Sequence, residues 1–186
     1  MKKFFKLQVA GLERDLLVCP LNEELSIAGF ILFGDVELTS ACARDLLQCA
    51  PPHDIMITAE SKGIPLIHEM ARQSGVNSYV VARKGCKVYM PNPISVTVNS
   101  ITTKNVQTLY LGQAEIDLLK GKRVLIVDDV ISTGESLKAL ESLVEKAGGN
   151  IVGKMAVLAE GSAAQRKDIQ FLAPLPMLDS EGNPLP

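Results

Sequence analysis

The feature that most constrains the fold is the alternation of short apolar runs with segments of helical periodicity. Four runs have the length and composition of buried strands: 55–59, 78–82, 124–128 and 151–158. Helices are predicted after two of them, over 64–73 and 135–147, where apolar residues recur every three to four positions. Strands that alternate with helices form parallel sheets with right-handed crossovers. We therefore predict an α/β fold whose central, mostly parallel sheet is flanked by helices.

Three segments break this alternation. Residues 1–36 have mixed character and predict a small hood. Residues 83–112 contain β-prone stretches at 94–98 and 106–111, which predict a flexible hairpin that projects from the sheet. Residues 174–186 are rich in proline and predict an irregular tail. The length of 186 residues suits one domain that includes all three segments.

Composition narrows the class of function. The net charge of −2 gives no basic surface of the kind that nucleic-acid binding requires, so an anion site must be built locally. No apolar run approaches the ~18 residues of a membrane span, and charges at residues 13–15 rule out a signal peptide. The cysteines lack C-x-x-C spacing, which argues against zinc and predicts reduced thiols in a cytoplasmic protein: Cys19, Cys42, Cys49 and Cys86.

The segment 124–136, VLIVDDVISTGES, carries the strongest chemical signal. A buried strand is followed by two carboxylates, a short loop of hydroxyl and glycine residues, and the start of a helix. Ligands of open α/β sheets bind at this end of the strands. Backbone N–H groups at a helix N-terminus, together with hydroxyls, bind a phosphate without any cationic side chain. The predicted phosphate loop comprises Ser132, Thr133, Gly134, Glu135 and Ser136.

The two carboxylates, Asp128 and Asp129, would repel a phosphate and need another role. Carboxylates accept hydrogen bonds from sugar hydroxyls and bind Mg²⁺. A phosphate loop beside a site for a diol and a metal ion suits a 5-phosphorylated ribose. The alternative is a capped strand-to-helix turn with surface acids.

This segment resembles the signature of the type I phosphoribosyltransferases, which bind phosphoribosyl pyrophosphate (PRPP). It lacks the G-x-x-x-x-G-K-[ST] pattern of a Walker P-loop. The resemblance implies the type I fold, Mg²⁺ at Asp128 and Asp129, and transfer of phosphoribose from PRPP to a base with release of pyrophosphate. It covers residues 30–173.

Two further segments support the resemblance. Residues 60–63 are similar to the pyrophosphate loop of adenine phosphoribosyltransferases, in which a cis peptide would fall between its first two residues. The corresponding residues are Glu60, Ser61, Lys62 and Gly63. A basic segment after the second strand resembles the start of the family's hood loop, and its cations would stabilise the leaving pyrophosphate: Arg83, Lys84 and Lys87. We predict catalytic roles for Arg83 and Lys87 beside the acid pair.

The purine is predicted to contact Phe33, Val130 and Glu160. Phe33 resembles the family's aromatic residue that stacks on the base. The equal alternative is that Phe33 is a phenylalanine of the hydrophobic core with no role in binding. A glutamate at 160 accepts hydrogen bonds and so favours the amino group of adenine over the carbonyl of hypoxanthine. It could instead point to solvent. The hairpin departs from the adenine enzymes because 102–104 replaces their Glu-Tyr pair, and 95–112 resembles the xanthine enzymes. The predicted order is adenine, xanthine, hypoxanthine.

Two expectations concern partners. The resemblance implies a homodimer in which Arg83 reaches the neighbouring site, and two-fold pairing is also the commonest oligomeric arrangement. A PRPP-sensing regulatory protein is the non-enzymatic alternative. A sensor of this kind could lack the pyrophosphate loop, which this chain has at residues 60–63. The chain also has no room for a winged-helix DNA-binding domain.

Overall fold

The computed structural model describes residues 3–99 and 106–185. Its central sheet has five parallel strands in the order β10-β9-β8-β4-β5. These are β4 (Ile55–Ala59), β5 (Val80–Ala82), β8 (Arg123–Ile131), β9 (Asn150–Glu160) and β10 (Gln170–Leu175). The predicted α/β class with a parallel sheet flanked by helices is confirmed.

The helices are α1 (Val36–Cys49), α2 (Ile64–Ser74), α3 (Gln113–Leu119) and α4 (Glu135–Lys146). Side chains of β8 alternate between the two faces of the sheet, as they must in a strand. Leu125 and Val127 belong to the core cluster that contains buried residues of α1 and α2. Val124 and Ile126 belong to the cluster on α4. Burial on both faces explains why this strand is apolar throughout.

A second, smaller sheet has the order β1-β2-β3-β11 and is antiparallel. Its strands are β1 (Phe4–Val9), β2 (Leu12–Pro20), β3 (Leu25–Gly29) and β11 (Leu178–Asp179). Most of it comes from the predicted hood region. Leu7, Val9 and Leu16 share a core cluster with the α1 face of the central sheet.

The prediction of an irregular tail over 174–186 is wrong for its first part. Leu175 ends β10, and Leu178 begins β11; both side chains are buried. The prolines misled the prediction because edge strands tolerate proline. Pro174 lies in β10, which is the edge of the central sheet, and β11 is the edge of the smaller one.

The predicted hairpin exists, but it packs on a helix. Strands β6 (Ile94–Asn99) and β7 (Val106–Leu111) pair antiparallel. Leu109 and Leu111 are buried in the α4 cluster, and Lys146 Nζ donates a hydrogen bond to Ser95 O at 3.0 Å. The predicted departure at 102–104 lies outside the described residues. None of the helices within the described residues has the length and apolar composition of a membrane span.

Candidate active site

Three clefts meet at the carboxyl ends of β4, β8 and β9, and the half-buried side chain of Val130 lines all of them. The first cleft is formed by the loop at 132–136. The second, of about 130 Å³, lies between residues 59–62 and the acid pair. The third, of about 330 Å³, opens toward the smaller sheet. The sequence placed Val130 near the base, whereas the structure places it at the junction of the three clefts.

The predicted phosphate loop has the expected geometry. Gly134 has φ +81°, and α4 begins at the next residue, Glu135. This positive φ favours glycine over residues with a Cβ. The cleft is lined by all five predicted residues, 132–136, together with Asp128. Backbone N–H groups of the first turn of α4 therefore lie at a concave surface suited to an anion.

The acid pair lies within β8 and not after it, because Val130 and Ile131 continue to pair with β9. Asp128 is half-buried, whereas only 3% of Asp129 is exposed. The Asp129 N–H donates to Asp128 Oδ1 at 2.9 Å. Burial, and next the charge of Asp129, raise the pKa of the Asp128 carboxyl to about 8. A nearby cation or hydroxyl donor would favour the ionised pair.

Lys62 supplies such a cation. Its Nζ lies 2.9 Å from Asp129 Oδ2, which is buried and has no hydrogen bond within the described residues. The lysine side chain is half exposed. Carboxylate oxygens are ligands that Mg²⁺ prefers, and Asp128 and Asp129 supply them. No third His, Cys, Asp or Glu joins the pair among the described residues, so a magnesium ion here would complete its shell with water or substrate oxygens.

Residues 60–63 form a tight turn between β4 and α2. The peptide between Glu60 and Ser61 is cis, as the family resemblance implied. Gly63 is buried against the side chain of Thr58, and a Cβ at this position would collide with Thr58 Oγ1 and lie 3.2 Å from Asp128 Oδ1. Glycine at 63 therefore allows the turn to lie close to β8.

Of the basic segment, Lys84 lines the second cleft, while Arg83 and Lys87 do not. The carboxylate of Glu60 holds this segment: Oε2 accepts from Lys84 N at 2.9 Å, and Oε1 lies 3.5 Å from Arg83 Nη2. Arg83 also exchanges two backbone hydrogen bonds with Tyr110 of the hairpin. The guanidinium thus lies against its own chain's pyrophosphate loop, and its reach to a neighbour stays a prediction.

The third cleft combines apolar walls with two charged groups. Its lining includes Ile31, Leu175, Lys62 and Glu160. Phe33 does not line it. From Phe30 to Phe33, successive side chains alternate between buried and exposed, so that Phe33 is exposed. A turn at Gly34 (φ +81°) then leads into α1. Sequence reasoning missed Phe30 and Ile31, which line the cleft where Phe33 was expected.

Comparison with known proteins agrees with this geometry. Residues 47–173 match the model of the phosphoribosyl transferase domain family. The chain is a phosphoribosyltransferase family member. It is 32% identical to the adenine phosphoribosyltransferase of Rhodococcus jostii over 133 residues, which is 68% of this chain and 69% of that protein. It is 34% identical to the hypoxanthine/guanine phosphoribosyltransferase of Methanococcus voltae over 138 residues, covering 74% and 70%.

Solved structures place this phosphoribosyltransferase in the same fold. The adenine phosphoribosyltransferase of Rhodothermus marinus superposes with a TM-score of 0.61 at 25% identity, covering 75% of this chain and 79% of that one. The Saccharomyces cerevisiae enzyme covers 92% of both chains with a TM-score of 0.63, at 19% identity. The predicted type I fold is confirmed.

One cation beside the phosphate loop was missed by sequence reasoning. A Cβ at Gly134 would lie 2.5 Å from Arg166 Nη1, so the guanidinium packs against the loop backbone. Arg166 follows a short 3-10 helix (Gly161–Gln165) and carries no motif. The sequence motif needs no cationic side chain to bind a phosphate, but the structure places one beside the loop.

Proposed function

We propose that this chain transfers the 5-phosphoribosyl group of PRPP to a purine base, with adenine as the preferred base and AMP as the product. The observation that carries the proposal is the meeting of three clefts at Val130. One suits a phosphate, one suits a pyrophosphate beside a ribose diol, and one suits a flat apolar base. PRPP and a purine together need these three environments around one carbon atom.

The chemistry requires positioning and charge stabilisation more than a nucleophile from the protein. As the bond from ribose C1 to pyrophosphate breaks, the sugar gains oxocarbenium character, as in glycoside cleavage. The base nitrogen attacks C1 from the opposite face. Residues 132–136 hold the 5-phosphate, and Asp128 and Asp129 accept from the ribose hydroxyls. Residues 60–63, with Lys84, hold the leaving pyrophosphate, whose negative charge grows during the step.

Magnesium is proposed as the cofactor because the acid pair fits it. The ion would neutralise charge on the pyrophosphate and favour the ionised carboxylates. Lys62 contacts Asp129 from the pyrophosphate loop, so its ammonium would reduce the repulsion between the acid pair and the leaving pyrophosphate. Arg83 and Lys87 keep their proposed catalytic roles near the pyrophosphate.

The preference for adenine rests on Glu160, which is half-buried and lines the base cleft. A carboxylate accepts from the exocyclic amino group of adenine but cannot donate to a 6-oxo group. Lys62 lines the same cleft and can donate, which favours a 6-oxopurine such as xanthine as the second candidate. Lys62 has a second proposed role at the pyrophosphate, whereas Glu160 has none, so adenine ranks first.

We also propose a homodimeric, cytoplasmic enzyme. Two-fold pairing is the commonest arrangement of soluble oligomers. The cysteines of the chain are free, in keeping with a reducing compartment.

A turnover assay with PRPP, Mg²⁺ and each of adenine, xanthine and hypoxanthine tests the function. We expect release of pyrophosphate with all active bases, and the largest kcat/KM with adenine. PRPP binding without turnover on any base would support the sensor alternative. A hypoxanthine value above both others would overturn the argument from Glu160.

A further inference from the structure

A salt-bridged network beside the phosphate loop has no place in the proposed chemistry so far. Arg166 donates from Nε to Asp168 Oδ1 at 3.0 Å and from Nη2 to Asp168 Oδ2 at 2.7 Å. Lys154 Nζ donates to the same Asp168 Oδ2 at 2.6 Å and to Glu141 at 2.7 Å. Glu141 belongs to α4 and Lys154 to β9. The network therefore fixes the segment after β9 to the helix that begins at the phosphate loop.

The two-pronged contact with Asp168 fixes the plane of the guanidinium and uses only one of its edges. The remaining nitrogen, Nη1, is the one that lies against Gly134. Hydrogen bonds to Asp168 are also the main cause that raises the pKa of Arg166, so its charge is permanent. A fixed, charged N–H donor thus lies beside the loop whose backbone N–H groups define the anion cleft.

The charges around the network favour an anion at this nitrogen. Asp168 and Glu141 are already paired with two cations, and Asp168 contacts Nε and Nη2 of Arg166 but not Nη1. The Arg166 side chain is 27% exposed, so water screens its charge only in part. Arg166 does not line the anion cleft itself, but its Nη1 packs against Gly134, which does.

We propose that Arg166 is a phosphate-binding residue of this enzyme, which adds a charge-assisted hydrogen bond from Nη1 to the 5-phosphate held by the backbone of 132–136. Asp168 acts as the positioning residue that orients it. This inference rests on the proposed function, because it assigns a ligand to the phosphate loop. It also gives a second reason for glycine at 134, since any side chain there would displace the guanidinium.

The test measures binding and does not depend on turnover. The affinities of the full chain for ribose 5-phosphate and for inorganic pyrophosphate are measured by calorimetry in three proteins: wild type, R166Q and K167Q. Lys167 is exposed and adjacent, so K167Q removes the same charge without the contact to Gly134. We expect R166Q to weaken ribose 5-phosphate binding about 10–100-fold, as for loss of one charge-assisted hydrogen bond. The affinity of R166Q for pyrophosphate should stay within about twofold of wild type. Both affinities of K167Q should also stay within about twofold, a smaller change than the loss of one charge-assisted hydrogen bond would cause.

The dependence of affinity on ionic strength distinguishes a residue that contacts the phosphate from a purely structural residue. If Arg166 contacts the phosphate, ribose 5-phosphate affinity falls less steeply with NaCl in R166Q than in wild type or K167Q. An R166Q protein that binds ribose 5-phosphate as tightly as wild type would overturn the inference alone. So would an unchanged salt dependence, or equal losses for both ligands. A wild-type chain that binds neither ligand would overturn the proposed function and the inference together.

Discussion

Lys62 Nζ lies 2.9 Å from Asp129 Oδ2, and this contact joins the pyrophosphate loop to the acid pair. The aspartate is buried and the lysine is half exposed. The lysine therefore remains accessible to solvent and substrate while it neutralises a buried charge. A buried carboxylate needs such a partner, because an unpaired charge in the interior is costly.

Asp129→Asn should weaken PRPP binding more than it alters the fold. The amide keeps the size of the side chain but loses the negative charge that pairs with Lys62, a metal ion and the ribose. Loss of one charge-assisted hydrogen bond costs about 1.5–3 kcal/mol, or about 10–100-fold in affinity. Calorimetric titration with PRPP and Mg²⁺ measures this effect. Asp15→Asn, on the exposed face of β2, is the matched control, and unchanged kinetics in both Asp128→Asn and Asp129→Asn would contradict the role of the pair.

The stability of the ligand-free enzyme should depend on pH through Asp128. Its pKa is higher in the folded chain than in the unfolded one, so the proton favours folding. The stabilisation is complete below the ordinary value of 3.8 and is lost as the pH rises toward about 8. We expect Asp128→Asn to abolish this part of the decline in the free energy of unfolding. Denaturant titrations between pH about 5 and about 8 measure it; an equally steep decline in the variant would contradict the assignment.

Gly63→Ala should destabilise the turn between β4 and α2. The added Cβ would collide with Thr58 Oγ1, and overpacking of this kind costs about 1–3 kcal/mol. Gly85→Ala is the control, because a Cβ there meets nothing within 4 Å. Chemical denaturation measures both variants. Thr58→Ala should recover part of the loss in a Gly63→Ala background, and a double variant no more stable than Gly63→Ala would show that Thr58 is not the obstacle.

Glu160→Gln should reduce the preference for adenine over hypoxanthine. The amide both donates and accepts, so it can donate to the 6-oxo group that a carboxylate repels. A change of one hydrogen bond predicts a fall of about tenfold in the ratio of the two kcat/KM values. Steady-state kinetics at saturating PRPP gives the ratio. Glu23→Gln, at an exposed turn, should leave it unchanged; the same ratio in Glu160→Gln and wild type would mean that Glu160 does not contact the base.

Mixing two impaired variants should show whether Arg83 acts across a dimer. Arg83→Ala and Asp129→Asn each damage one part of the site. If Arg83 serves the neighbouring subunit, a mixed dimer has one complete site, and random pairing of equal amounts restores about one quarter of the sites. If Arg83 serves its own chain, where it lies beside Glu60, mixing restores none. Activity after co-refolding, with sedimentation to confirm the dimer, distinguishes the two.

Features of this protein that depend on neighbouring residues could be predicted from the sequence. Apolar periodicity gave β4, β8 and α4 because strand and helix faces repeat at short spacing. The phosphate loop follows from residues 132–136 alone, since glycine permits the positive φ at 134. The cis peptide between Glu60 and Ser61 was predicted from the family motif.

Which distant segments meet at the site depends on the packing of the whole fold and could not be predicted from the sequence. Pairing with β9 extends β8 past the acid pair and buries Asp129. The proline-rich segment forms β10 and β11 at the edges of the two sheets, and its side chains Leu175 and Leu178 are buried in the core. Asp168 holds Arg166 beside Gly134, and Lys154 of β9 links Asp168 to Glu141 of α4; no local pattern marks Arg166. Contacts of this kind depend on how whole elements pack, and a sequence read in short windows does not contain that information.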